Sequence, residues 1–288
     1  MCHSRYFRIA GLVLKLVPPC ETTVEEAFRP FEIQPEKPEI RVHFTCCPEL
    51  QKPDGTEVCR EPGITICSGA SGNCRVFYSN TMQTDIQALS RYEWKTGVAE
   101  IQYPEGRQNV FSRVGCIFGH IGFEEVMASR NRLILHASLI DTPAGGILFS
   151  GVSGIGKSTQ AELWHKWEGA EILNGDRPIL YLSEEGWQAW GSPYAGSSRY
   201  HINQKTSVAA VILLRQDKIC RLRRLSPSEA FRRLYPAVTV NSWNQEYVNR
   251  ACDLLSGLVQ SKPVYEYSCT ADETAVKVLK KELFQEDD

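Results

Sequence analysis

Gly151, Gly156, Lys157 and Ser158 stand at the spacing Gly-x-x-x-x-Gly-Lys-Ser, between an apolar run at 146–150 and a stretch of helix-forming composition at 159–168. No other feature restricts the fold of this chain as strongly. A strand that passes a glycine-rich turn to a helix N-terminus gathers backbone N–H groups under a favourable helix dipole, which is a receptor for phosphate. In such a loop the backbone of Gly151, Ser153, Gly154, Ile155, Gly156 and Thr159 cradles the nucleotide phosphates. Lys157 meets the β/γ-phosphates, and the Ser158 hydroxyl is placed for Mg²⁺.

The flanking sequence adds two polar groups to this loop. Residues 135–141 and 146–150 predict a β-hairpin around Thr142, Pro143, Ala144 and Gly145. Pairing Asp141 with Gly146 makes every pair of residue numbers sum to 287, which sets His136 opposite Gly151. An imidazole there stands beside a transferable phosphate; a histidine closing off the strand is the structural alternative. After the helix, the run 169–173 ends in Asn174, Gly175, Asp176 and Arg177. A strand–loop–helix–strand order implies a parallel crossover that brings the end of the second strand alongside the phosphate loop. Asp176 then reaches the position of a Mg²⁺ ligand or of a base for an acceptor hydroxyl, with a simple turn residue as the alternative.

These residues resemble the HPr kinase/phosphorylase family, in which a His-bearing strand precedes the P-loop strand and an acid pair follows it. The resemblance is specific over 133–183 and weaker through 191–196, 208–214 and 264–283. It is nearest to the serine kinases of ribosomal peptide gene clusters, the lasso peptide type included. It implies a mixed α/β fold with an HPr kinase-like P-loop core, ATP and Mg²⁺ as cofactors, and His136, Lys157 and Asp176 as catalytic residues. Ser158 and Asp176 are the implied metal ligands. One departure stands out: the first acid of the family's pair, its general base, is Gly175 here. Phosphoryl transfer is mostly positioning and charge stabilisation, so Asp176 or His136 can take over the proton.

Residues 1–115 read differently, as short β-prone runs at 6–17, 40–45, 64–67, 75–78 and 98–103 separated by turn clusters. They predict a β-rich lobe, followed from 116 to 288 by the catalytic core, with a helix over 117–131 as the bridge. The apolar stretch 9–17 contains Lys15 and is too short to cross a bilayer, so no membrane partner is expected. With 11 cysteines, an odd number, a fully paired secreted framework is excluded and a cytoplasmic location follows. His43, Cys46, Cys47 and Cys59 lack the spacing of a metal site. The balance of 32 basic against 34 acidic residues gives no field that would recruit nucleic acid.

Positive charge is concentrated locally instead. Between Arg199 and Arg233 there are nine basic residues against Asp217 and Glu229, a net of 9 − 2 = +7. Ser226, Pro227 and Glu229 form a capping box that predicts a helix over 227–235, whose basic end suits the dipole. Arg199 and His201 follow a Gly-Ser-Ser loop that the family resemblance places near nucleotide and acceptor; either can contact phosphate, Arg199 being the one assigned to it, with ordinary loop polar residues as the alternative. Trp187, Trp190 and Trp243 are expected in packing ahead of base stacking. The expectation is a kinase acting on a Ser or Thr hydroxyl of a peptide or small protein, with homo-oligomerisation left open. A phosphotransferase of the phosphoenolpyruvate carboxykinase-like superfamily acting on a small molecule, and a non-catalytic nucleotide-binding module, are the competing readings.

Overall fold

Ala10 (φ 48°) and Gly11 (φ 79°) turn the first apolar run back on itself, so the single strand expected over 6–17 is a two-residue hairpin. The computed structural model describes residues 3–70 and 72–284. It divides into two compact units, Met1–Ser129 and Arg130–Asp288. Both units carry large mixed sheets flanked by helices, which makes the fold mixed α/β.

In the first unit the hairpin strands are β1 (Arg5–Ile9) and β2 (Leu12–Leu16). They are followed by β3 (Glu32–Ile33), β4 (Ile40–Cys47), β5 (Thr56–Glu61), β6 (Ile64–Gly69), β7 (Gly72–Tyr78), β8 (Ile86–Glu93) and β9 (Val98–Pro104). The sheet order is β3-β1-β2-β4-β9-β8-β7-β6-β5, with β4 parallel to both β2 and β9. The helix expected over 117–131 is two helices, α1 (Val114–Ile121) and α2 (Phe123–Ser129), broken at left-handed Gly122 (φ 66°). A Cβ at Gly122 would lie 2.1 Å from the Arg75 guanidinium carbon, so a side chain there is excluded twice over. Arg75, buried on β7, pairs with buried Glu125 of α2, and Trp94 Nε1 donates to the same carboxylate at 2.9 Å. Tyr92 and Ser129 share a hydrogen bond of 2.8 Å. These contacts fasten residues 116–129 to the first sheet, which is why the division falls at 129/130 while the sequence reading put it at 115/116.

The second unit is built from β10 (Leu133–Ile134), β11 (Ala137–Thr142), β12 (Gly145–Ser150), α3 (Lys157–Glu168), β13 (Glu171–Asn174), β14 (Ile179–Ser183), β15 (Gly186–Trp190) and β16 (Lys205–Gln216). Then come β17 (Arg221–Arg224), α4 (Pro227–Leu234), α5 (Gln245–Ser261), β18 (Val264–Cys269) and α6 (Glu273–Leu283). The hairpin β11–β12 has the expected register, with Ala137 opposite Ser150 and Asp141 opposite Gly146. Its turn is tighter than expected: Thr142 pairs with Gly145, and Thr142 Oγ1 donates to the Gly145 carbonyl at 2.7 Å. Strand β12 is buried throughout and runs parallel to β16, which is itself parallel to β18. Buried on both faces, it reads as one apolar run with no alternation. Ile147 and Phe149 of this strand pack with Trp164 of α3, Ile212 of β16 and Tyr267 of β18.

The crossover after α3 departs from expectation in one respect. Strand β13 pairs antiparallel with β11, and β11 pairs antiparallel with β12, so β13 is parallel to the P-loop strand but one strand removed from it. Among the described residues, no helix is long and apolar enough to cross a membrane.

Candidate functional site

The phosphate loop leaves β12 through Gly151 (φ 143°) and enters α3 through Gly156 (φ 111°). Both backbones lie where an L side chain is strained, so glycine is required at each position. The first N–H groups of α3 have no carbonyl four residues earlier inside the helix and face the loop. Lys157, only 7% exposed, folds its ammonium back onto the carbonyls of Gly151 and Val152, each at 3.3 Å. Burial lowers its pKa, and the charge of Asp176 opposes that shift.

The offset of β13 makes room for a polar turn beside the loop. The Asn174 side chain accepts from the backbone N–H of Asp176 (3.0 Å) and of Arg177 (2.7 Å), and its amide donates to the Ser192 carbonyl at 2.9 Å. This is an Asx turn fixed at both ends. It aims Asp176 at His136, whose Nε2 lies 3.1 Å from Asp176 Oδ1. The His136 backbone is held by Ala237 O at 2.7 Å and by Ser150 Oγ, which donates to its carbonyl at 2.9 Å. Arg177 Nε is 3.4 Å from the other Asp176 oxygen, while its Nη1 donates to Thr239 Oγ1 at 2.8 Å.

Burial lowers the pKa of His136, and the positive charges of Lys157 and Arg177 push it the same way. The charge of Asp176 and its hydrogen bond raise it only in part. The imidazole is therefore neutral at pH 7, with its Nε2–H donating to Asp176 and its other nitrogen left as an acceptor.

His136, Ser153, Gly154, Gly156, Lys157, Ser158, Thr159 and Asp176 line one cleft of about 280 Å³. The structure thus gathers the histidine, lysine, hydroxyl and carboxylate singled out from the sequence, with most of the cradle. Ile155 turns the other way and packs against the core around Phe149 and Ile212. Arg199, assigned to the phosphates from sequence, is exposed with φ 62° and is not among the residues lining this cleft. Trp187 is buried against Gly257 of α5, where a Cβ would sit 3.4 Å from the ring.

The residues not anticipated are Ala195, Ser197 and Ser198, which close one wall of the cleft. Their signal was the Gly-Ser-Ser run. A Cβ on Gly175 would lie 1.5 Å from Ser198 Oγ, whose hydroxyl donates to Ala195 O at 2.7 Å. Ser198 therefore occupies the space in which a side chain at 175 would begin. Gly196, also left-handed (φ 59°), packs its backbone on Asp176, with a Cβ placed 3.0 Å from the carboxyl carbon.

Across the phosphate loop lies a second cleft of about 400 Å³, formed by Gly154, Ile155 and Gln160 with Leu214, Gln216 and Thr270. Gln216 Nε2 donates to the Ile155 carbonyl at 3.3 Å, tying the end of β16 to the loop. The two clefts share Gly154, Gly156 and Thr159, so an anion on the loop has carboxylate chemistry on one side and room for an attached group on the other.

No protein-family model and no curated protein matches the chain. Among solved structures, the HPr(Ser) kinase/phosphatase from Coxiella burnetii aligns over 52% of this chain and 97% of its own, at 12% identity and a TM-score of 0.32. At that similarity the likeness carries no weight for function.

Proposed function

We propose that this chain is an ATP- and Mg²⁺-dependent kinase that transfers the γ-phosphoryl group to a Ser or Thr hydroxyl of a peptide or small protein. The observation that supports the reading is the convergence of Lys157, Ser158, His136 and Asp176 on one cleft at the N-terminus of α3.

The donor set suits both cofactors. Glycine-lined backbone beside a buried lysine matches a polyphosphate. Among the described residues no cluster of three or more His, Cys, Asp or Glu could hold a metal ion unaided. Mg²⁺ makes no such demand, because it binds through one or two protein oxygens together with substrate phosphates and water. Ser158 and Asp176 are the residues that would hold it. Bound there, it supplies neutralisation of the charge shared by the β- and γ-phosphates.

The chain's own groups then divide the remaining tasks. Lys157 exchanges two loop carbonyls for phosphate oxygens, and the N–H groups of the loop and of α3 orient them. The acceptor oxygen bonds to phosphorus as the bond to the bridging oxygen breaks, and that electron pair departs with the nucleoside diphosphate. The hydroxyl proton passes to the hydrogen-bonded His136–Asp176 pair, which takes the place of the missing acid at 175. The second cleft across the loop offers the nucleoside a place.

Incubation of the protein with Mg²⁺, γ-labelled ATP and Ser-containing peptides, read by mass spectrometry, tests the proposal. Precursor peptides of ribosomal natural products are the acceptors to try first. Transfer to a peptide hydroxyl supports the reading. Nucleotide binding without any transfer would leave a binding module.

A further inference from the structure

Within the basic segment 199–233, Arg215 also borders the second cleft across the phosphate loop, and the structure separates four of the arginines into two sets. Arg223 binds Glu229 at 2.8 Å and Glu266 at 3.1 Å, and Arg233 binds the same two carboxylates, so this group is neutralised internally. Arg215 and Arg221 are exposed and have no carboxylate partner among the described residues.

Strand register places these two arginines together. Arg215 of β16 pairs with Ser268 of β18, and Arg221 of β17 pairs with the same Ser268. Directly paired residues point to one face of a sheet, so Arg215, Ser268 and Arg221 form a row whose ends are about 10 Å apart, two strand spacings. Ile219, 65% exposed, lies with them in a cleft of about 290 Å³ whose rim carries Asp217. Counting Lys218, the unneutralised charge is 3 − 1 = +2, on a chain whose net charge is −2. Among the described residues strand β17 pairs only with β18, which leaves its outer edge without a strand partner.

We infer that this edge is a docking site for an acidic, extended stretch of the peptide acceptor, an inference that rests on the kinase reading above. The arginine row selects carboxylates from a peptide lying across the strands, and Ile219 receives an apolar side chain between them. The same charges oppose pairing of this edge with that of a second copy of this chain.

The test uses the full chain and a fluorescein-labelled (Glu-Thr)4 peptide, with anisotropy as the readout and no nucleotide present. The expected result is binding at low salt that weakens about tenfold or more in Arg221→Glu and in high salt, persists in Arg221→Lys, and is absent for (Gln-Thr)4. Circular dichroism verifies that the variants remain folded. No binding by the parent, or binding as tight as the parent's in both Arg221→Glu and Arg215→Glu, overturns the inference. So does displacement by a single-stranded oligonucleotide as effective as unlabelled peptide, which would mark a general polyanion surface. A fluorescent ATP analogue titrated into the same protein keeps the two ideas apart. Nucleotide binding without peptide binding removes the docking site alone, and peptide binding without nucleotide binding removes the kinase.

Discussion

Three side chains at the cleft have consequences that single substitutions can read. Lys157 contributes charge, and its loss leaves the buried apolar contacts of α3 in place. Lys157→Ala is expected to lower transfer by about 10²–10³-fold with an unchanged melting curve. His136 must be neutral to accept a proton, and its lowered pKa places the acid limb of the pH–rate profile below the ordinary histidine range. Asp176 raises that pKa, so removing its charge in Asp176→Asn shifts the His136 titration to still lower pH. A histidine NMR titration measures the shift directly, and an upward shift would mean that the two groups do not face each other in solution. Gly175 and Ser198 compete for one volume. Gly175→Asp is expected to cost about 1–3 kcal/mol from overpacking, and adding Ser198→Gly should recover most of it in urea denaturation.

Local chemistry made the elements around the loop legible, and long-range pairing hid the others. The hairpin register could be read because a short turn fixes it, and the capping box at Ser226 marked α4 to within a residue, with Ser226 accepting from Glu229 N–H. The acid and the histidine could be placed beside the loop from sequence because both lie within a few residues of such elements. Strand order was out of reach: nothing local to 169–176 says that β11 will lie between β13 and β12, although that offset is what leaves space for the Asn174 turn. Helix α5 was missed despite Asn244 at its cap and Tyr247, Ala251, Leu255 and Leu258 in a buried stripe. Cys252 and Gly257 dilute that periodicity. Strand β8 alternates too weakly to be read, since its burial depends on the helices above it. At this scale α3 is the element to perturb. Trp164, 1% exposed, fills the core beneath the phosphate loop. Trp164→Ala is expected to cost about 3–5 kcal/mol in equilibrium unfolding and to weaken nucleotide binding through a displaced helix start.

Each of the two units carries its own sheet and buried core. Residues 130–288 expressed alone are therefore expected to unfold in a single cooperative thermal transition by calorimetry, and a broad, heatless melt would show that the core is incomplete without the first unit. Within the second unit, the strands run β13-β11-β12-β16-β18-β17, with the carboxylate side and the arginine side on opposite flanks of the phosphate loop. From β16, which carries the nearer arginine, to β11 there are two strand spacings, about 10 Å, a gap that an extended chain crosses in about three residues. The sheet is in effect a ruler. A peptide gripped at the arginine row can offer to the loop only a hydroxyl at least about three residues away from its acidic stretch, and serines nearer than that are passed over whatever their neighbours are.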